Sequence, residues 1–182
     1  DNVLFDPSIN NLGVGISGSQ IGGLGAILPS SLQRIGENSF REIGLSGPLD
    51  LSGLTGLTQI GINAFADNSF NGSLTFGNLS DLSSIGSGAF INNDFSGSLD
   101  LSGLTGLTQI GNFAFAENSF NGSLTFGDLS NLNSIGNEAF LNNKFSGSLN
   151  LSGLTGLKRI GINAFGQNNF NGSLTFGNLS DL

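Results

Sequence analysis

Residues 72–96 read GSLTFGNLSDLSSIGSGAFINNDFS, and the 25-residue stretches on either side say nearly the same thing. Gly47, Gly72, Gly97, Gly122, Gly147 and Gly172 share one register. From each of them Leu stands at +2, Leu or Phe at +4, and Leu at +7 and +10. In the five complete copies Ile-Gly follows at +13 and +14, Ala-Phe at +17 and +18, Asn at +21 and Phe at +23. A unit this short cannot bury its own apolar side, so the copies must stack into a solenoid around a shared core.

Within the unit, Ser73-Leu74-Thr75-Phe76 alternates polar and apolar, which predicts a short strand with Leu74 and Phe76 inward. Asn71-Gly72 just before it is a turn signal. Leu79, Leu82 and Ile85 are spaced by three, which suits a tight 3₁₀ or irregular segment, or a second short strand beginning at Ile85. Ala89-Phe90 places a ring in the core. The Asn at +21 (Asn68, Asn93, Asn118, Asn143, Asn168) is expected to point inward and bond backbone groups. The Gly at +14 (Gly61, Gly86, Gly111, Gly136, Gly161) is expected to supply positive φ.

Outward from these copies the pattern fades. Residues 1–21 do not fit the register, and their apolar residues read as an N-terminal cap. A degenerate copy spans 22–46, regular copies run from Gly47 to Asn171, and a partial copy closes 22–182, the solenoid proper. Residues 51–100 and 101–150 are identical at 39 of 50 positions, and all 11 differences avoid the ladder positions. Ladder residues therefore set the fold and variable ones face water. The alternation at +4 (Leu51, Phe76, Leu101, Phe126, Leu151, Phe176) implies large and small side chains interleaved in the stack.

Only 10% of the residues are charged, with Gly, Ser, Asn and Thr in their place. Net charge is −8, and five Lys and Arg residues are too few to track nucleic acid or an anionic membrane. No apolar stretch approaches the roughly 20 residues of a membrane span, so no membrane insertion is expected within this chain. The chain starts at Asp1 rather than Met, as a processed product or an excised piece would. The neutral polar composition and the repeats favour an extracellular or cell-surface location.

The chemistry of a catalyst is missing from the pattern. Cys and His are absent, which removes Ser-His-Asp and Cys-His catalysis and thiolate metal sites. The 13 acids sit on variable positions and gather in no evident pocket. Glycine-rich segments such as 52–56 lack the Lys of a phosphate loop. Asp81, Asp94 and Asp100 read as solvated surface rather than as calcium ligands. Asn-x-Ser at Asn71, Asn78, Asn121, Asn171 and Asn178 reads as a by-product of the repeat. No enzyme activity, cofactor or metal is expected.

The strand face is the candidate binding surface. When coils stack at ~4.8 Å its outward residues form two rows. One is Ser73, Ser98, Ser123, Ser148 and Ser173; the other, beginning at Asp50, continues through Thr75, Asp100, Thr125, Asn150 and Thr175. These rows solubilise the face, or they form a polar platform for a protein, a glycan or an ice lattice. The Thr row is interrupted by Asp100 and Asn150, which counts against ice.

The copies resemble a leucine-rich repeat, and within that class the bacterial surface, BspA-like repeat. Its S-x-V/L-x-x-I-G-x-x-A-F hallmark after Pro is nearly literal in residues 28–40, LPSSLQRIGENSF, and its second half persists in residues 57–65, LTQIGINAF. The repeat is about two residues longer than the usual family copy, Pro is lost after Pro29, and residues 68–74 are also similar to a plant-type repeat. The resemblance covers roughly residues 22–182. It implies a mainly β, right-handed leucine-rich-repeat solenoid of about six to seven 25-residue coils, with parallel strands and little α-helix. It also implies a surface-displayed module used in adhesion or in binding a protein or glycan, and no activity. Two alternatives stand beside it: a filament of copies docked end to end, because the chain stops at Leu182 ten residues into a coil, and an ice-binding solenoid.

Overall fold

The computed structural model describes Leu28 and residues 30–177. The cap expected over residues 1–21 and the close of the last copy beyond Gly177 lie outside the described residues. Those described contain no helix. Short and long strands alternate along the chain: β1 (Arg34–Ile35), β2 (Ser46–Asp50), β3 (Gln59–Ile60), β4 (Ser69–Thr75), β5 (Ser84–Ile85), β6 (Asp94–Asp100), β7 (Gln109–Ile110), β8 (Ser119–Thr125), β9 (Ser134–Ile135), β10 (Ser146–Leu151), β11 (Arg159–Ile160) and β12 (Asn169–Phe176). Each coil is three-sided, with one long strand, one two-residue strand and one turn segment.

The short strands form one parallel sheet in the order β1-β3-β5-β7-β9-β11, with Ile35, Ile60, Ile85, Ile110, Ile135 and Ile160 in a single file. The long strands form a four-stranded sheet, β2-β4-β6-β8, and a pair, β10-β12. The spacing of Leu by three follows from successive tight turns: the N–H of Leu54 donates to the Leu51 carbonyl at 2.9 Å, and the N–H of Leu57 to that of Leu54 at 2.9 Å. These turns end in β3 and its equivalents, so both expected features occur. The turn segments also stack, the N–H of Phe65 donating to the Ala89 carbonyl at 2.8 Å and that of Phe115 to the Ala139 carbonyl at 2.8 Å.

Apolar ladder residues of all three sides meet inside. Leu49, Leu51, Leu54, Leu57, Ile60, Phe65 and Phe70 are fully buried, as are their counterparts in the middle coils. Phe40, Phe65, Phe90, Phe115, Phe140 and Phe165 stack face to face with centroids 5.1–5.4 Å apart. The alternation at +4 has a visible cause. Phe76 meets Phe90 and Phe115 edge-on at 5.7 and 6.3 Å, and Phe126 meets Phe140 and Phe165 at 5.8 and 6.2 Å. One such ring serves two coils, leaving room in the next for Leu101.

Two expectations about glycine are corrected. Gly61, Gly86, Gly111, Gly136 and Gly161 do not have positive φ. A Cβ on Gly61 would lie 2.6 Å from the Glu37 nitrogen, and one on Gly86 2.5 Å from the Gly61 carbonyl carbon. These glycines let backbone approach backbone between coils. Positive φ occurs instead at Gly47, Gly72, Gly97 and Gly147, at 77–86°. Asn71-Gly72 is accordingly no turn ahead of a strand; it lies inside β4, at an irregularity in strand pairing.

Candidate functional site

That irregularity determines what the strand face can present. Between β2 and β4, Gly47 pairs with Phe70, an offset of 23 residues, and Leu49 then pairs with Leu74, an offset of 25. The same shift recurs between β6 and β8 and between β10 and β12. Between β4 and β6 only the 23-residue offset is used, at Asn71 with Asp94 and Gly72 with Phe95. Extended pairing past the bulge therefore joins coils two by two.

The ten candidate residues all face solvent. They come together as doublets. Asp100 pairs with Thr125 and Asn150 with Thr175, as Asp50 does with Thr75. The Ser98 Oγ accepts the N–H of Ser123 at 3.1 Å and lies 3.2 Å from the Ser123 Oγ. The Ser148 Oγ accepts the N–H of Ser173 at 3.1 Å. Ser73 stands in the same row, with Pro48 in place of a serine one coil before it. The surface grid thus repeats every two coils, about 10 Å, rather than every coil.

Asp100 and Asn150, which break the Thr row, have a local task. The Oδ1 of Asp100 accepts the N–H of Ser102 at 2.9 Å, and that of Asn150 the N–H of Ser152 at 3.0 Å. Asp50 does the same for Ser52. These are Asx turns that carry the chain off the strand, which is why Asp or Asn stands there. No three acidic side chains gather into a metal-binding group among the described residues.

The sequons are exposed at Asn71, Asn78, Asn121 and Asn171, while Asn178 lies outside the described residues. Asn121 and Asn171 accept the N–H groups of Gly97 and Gly147 at 3.0 and 3.1 Å, helping to hold the bulge.

Sequence reasoning passed over the turn face. Ile62 is 45% and Phe113 39% exposed there. The signal was available: Ile62-Asn63 becomes Asn112-Phe113 fifty residues on, a difference that is not polar for polar.

The family model for the BspA type leucine-rich repeat region matches the chain in six copies, over residues 25–146 and 50–171. No curated protein and no solved structure matches.

Proposed function

Because the chain belongs to the BspA-type leucine-rich repeat family, we propose that it is a non-catalytic extracellular module that binds protein or glycan at a cell surface. Repeats of this type are typical of bacterial surface proteins. No helix among the described residues is long and apolar enough to cross a membrane.

The observation that carries the reading is the exposed double row of short polar side chains on the strand face. Ser and Thr hydroxyls lose little conformational entropy on contact and both donate and accept, as carbohydrate and backbone amides require. Doublets recurring every two coils give several equivalent weak contacts, so attachment gains strength by multivalency rather than from one pocket.

The test is binding of the purified chain to a panel of immobilised oligosaccharides and extracellular proteins. The comparison is a variant carrying Thr75→Lys, Thr125→Lys and Thr175→Lys. We expect at least one ligand whose capture the triple variant abolishes while its melting temperature is kept. A ligand held equally by both proteins moves the site off this face. Capture of nothing in the panel speaks against the module reading.

A further inference from the structure

The turn face carries one bulky apolar residue in each of the five complete coils, at three places: Ile62 and Ile162 at +15, Phe113 at +16, and Ile91 and Leu141 at +19. Ile91 and Leu141 are half-buried and lean over small neighbours. The Leu141 Cδ1 lies 3.1 Å from where a Cβ on Gly166 would sit, and the Ile91 Cγ2 3.4 Å from one on Gly88. Ile62 and Phe113 stand free of the core.

Phe113 is the residue the fold least explains. Its φ is 58°, a left-handed conformation that suits Gly and Asn and disfavours a bulky side chain. The equivalent residues are Asn63, Gly88, Glu138 and Asn163. Its ring is 39% exposed and joins none of the aromatic stacks of the core. An aromatic side chain in such a place contributes little to stability and much to a contact with something else.

Charge indicates what that something is. From Glu42 to Glu138 the chain has nine carboxylates and no Lys or Arg. Glu117 follows Phe113 by four residues in the same coil, and Glu138 holds the register of Phe113 in the next. Arg41, in the first described coil, is engaged by Asp67 and Glu42 at 3.0 and 3.1 Å. A second copy would bring the same carboxylates against these, at a cost. A cation over the Phe113 ring, within reach of Glu117 and Glu138, gains from both.

We propose that the turn face around Phe113 docks a basic amphipathic segment of another protein, with a Lys or Arg over the Phe113 ring and apolar residues toward Ile62. This surface is separate from the strand-face rows, so the two proposals stand or fall apart.

The experiment titrates the whole chain with a Leu/Lys amphipathic peptide, and with a Leu/Glu peptide of the same pattern, by calorimetry at two salt concentrations. Phe113→Asn relieves the backbone and keeps the fold, and it is expected to weaken Leu/Lys binding roughly five- to tenfold. Glu117→Gln with Glu138→Gln is expected to weaken binding and flatten its salt dependence. Thr125→Val on the strand face is expected to change nothing. Equal affinity for both peptides, no binding of the Leu/Lys peptide, or full retention by Phe113→Asn would each overturn the proposal. So would a dimer, seen by sedimentation, that Phe113→Asn dissolves, because the occupant would then be a second copy.

Discussion

Asn118 is 7% exposed, and its amide ties its own coil to the one before. Its Oδ1 accepts the N–H of Phe95 at 3.3 Å, and its Nδ2 faces the carbonyls of Phe90, Phe115 and Ala116 at 2.9, 3.2 and 3.0 Å. Asn93 and Asn143 repeat the arrangement. Replacing Asn118 by Ala strands a buried N–H and several carbonyls, and each unsatisfied group costs about 1–3 kcal/mol. We expect a loss of roughly 3 kcal/mol in urea unfolding; a loss below ~1 kcal/mol would mean the amide is not the tie. Gly86→Ala is expected to cost as much or more, because the atoms its Cβ meets are backbone and cannot swing aside. Phe113→Asn is expected to stabilise by about 0.5–1 kcal/mol by removing a left-handed Phe, and a fall in melting temperature would count against that account. Inward Asn was legible because a polar residue recurring at one place in an apolar ladder must be satisfied. The glycine ladder was legible only as a place where Cβ is excluded. Recurrence cannot distinguish positive φ from backbone crowding, and here it is crowding.

At the scale of the strand, alternation in the sequence located the inward Leu and Phe correctly but not the strand's start. The strand reaches back to Ser69 through Asn71-Gly72, because glycine can carry the ladder through a bulge. Nor could a period of 25 reveal pairing at an offset of 23, which depends on the neighbouring strand rather than on the chain itself. The residues of the candidate rows face solvent. Their grouping into doublets was not legible, because it arises from the alternation of pairing. Leu99 is fully buried on β6 and Asp94 exposed on the same strand. Leu99→Ala is expected to cost about 2–5 kcal/mol and Asp94→Ala almost nothing. Similar values would invert the assignment of the two faces. Phe126→Leu removes the ring wedged edge-on against Phe140 and Phe165 and is expected to cost about 1–3 kcal/mol in the same assay.

For the molecule as a whole, each coil touches only its neighbours, so stability is close to a sum of coil and interface contributions. The alternation of Leu and Phe at +4 and the doublets both repeat every two coils. Deleting residues 101–150 therefore rejoins like with like, whereas deleting 101–125 sets Phe76 directly against Phe126. The 50-residue deletion is expected to unfold in one transition with its stability reduced in proportion to length. The 25-residue deletion, though longer, is expected to be the less stable of the two. The reverse order would show that the two-coil repeat has no energetic meaning.

The stack itself is open to a single distance. The chain has no Cys, so Gln33→Cys with Lys158→Cys gives a clean pair of spin-label sites. Both residues are exposed and share one register five coils apart. Stacking at ~4.8 Å per coil predicts a narrow distribution centred near 24 Å. A broad distribution, or one centred well beyond it, would contradict a column of coils sharing one core.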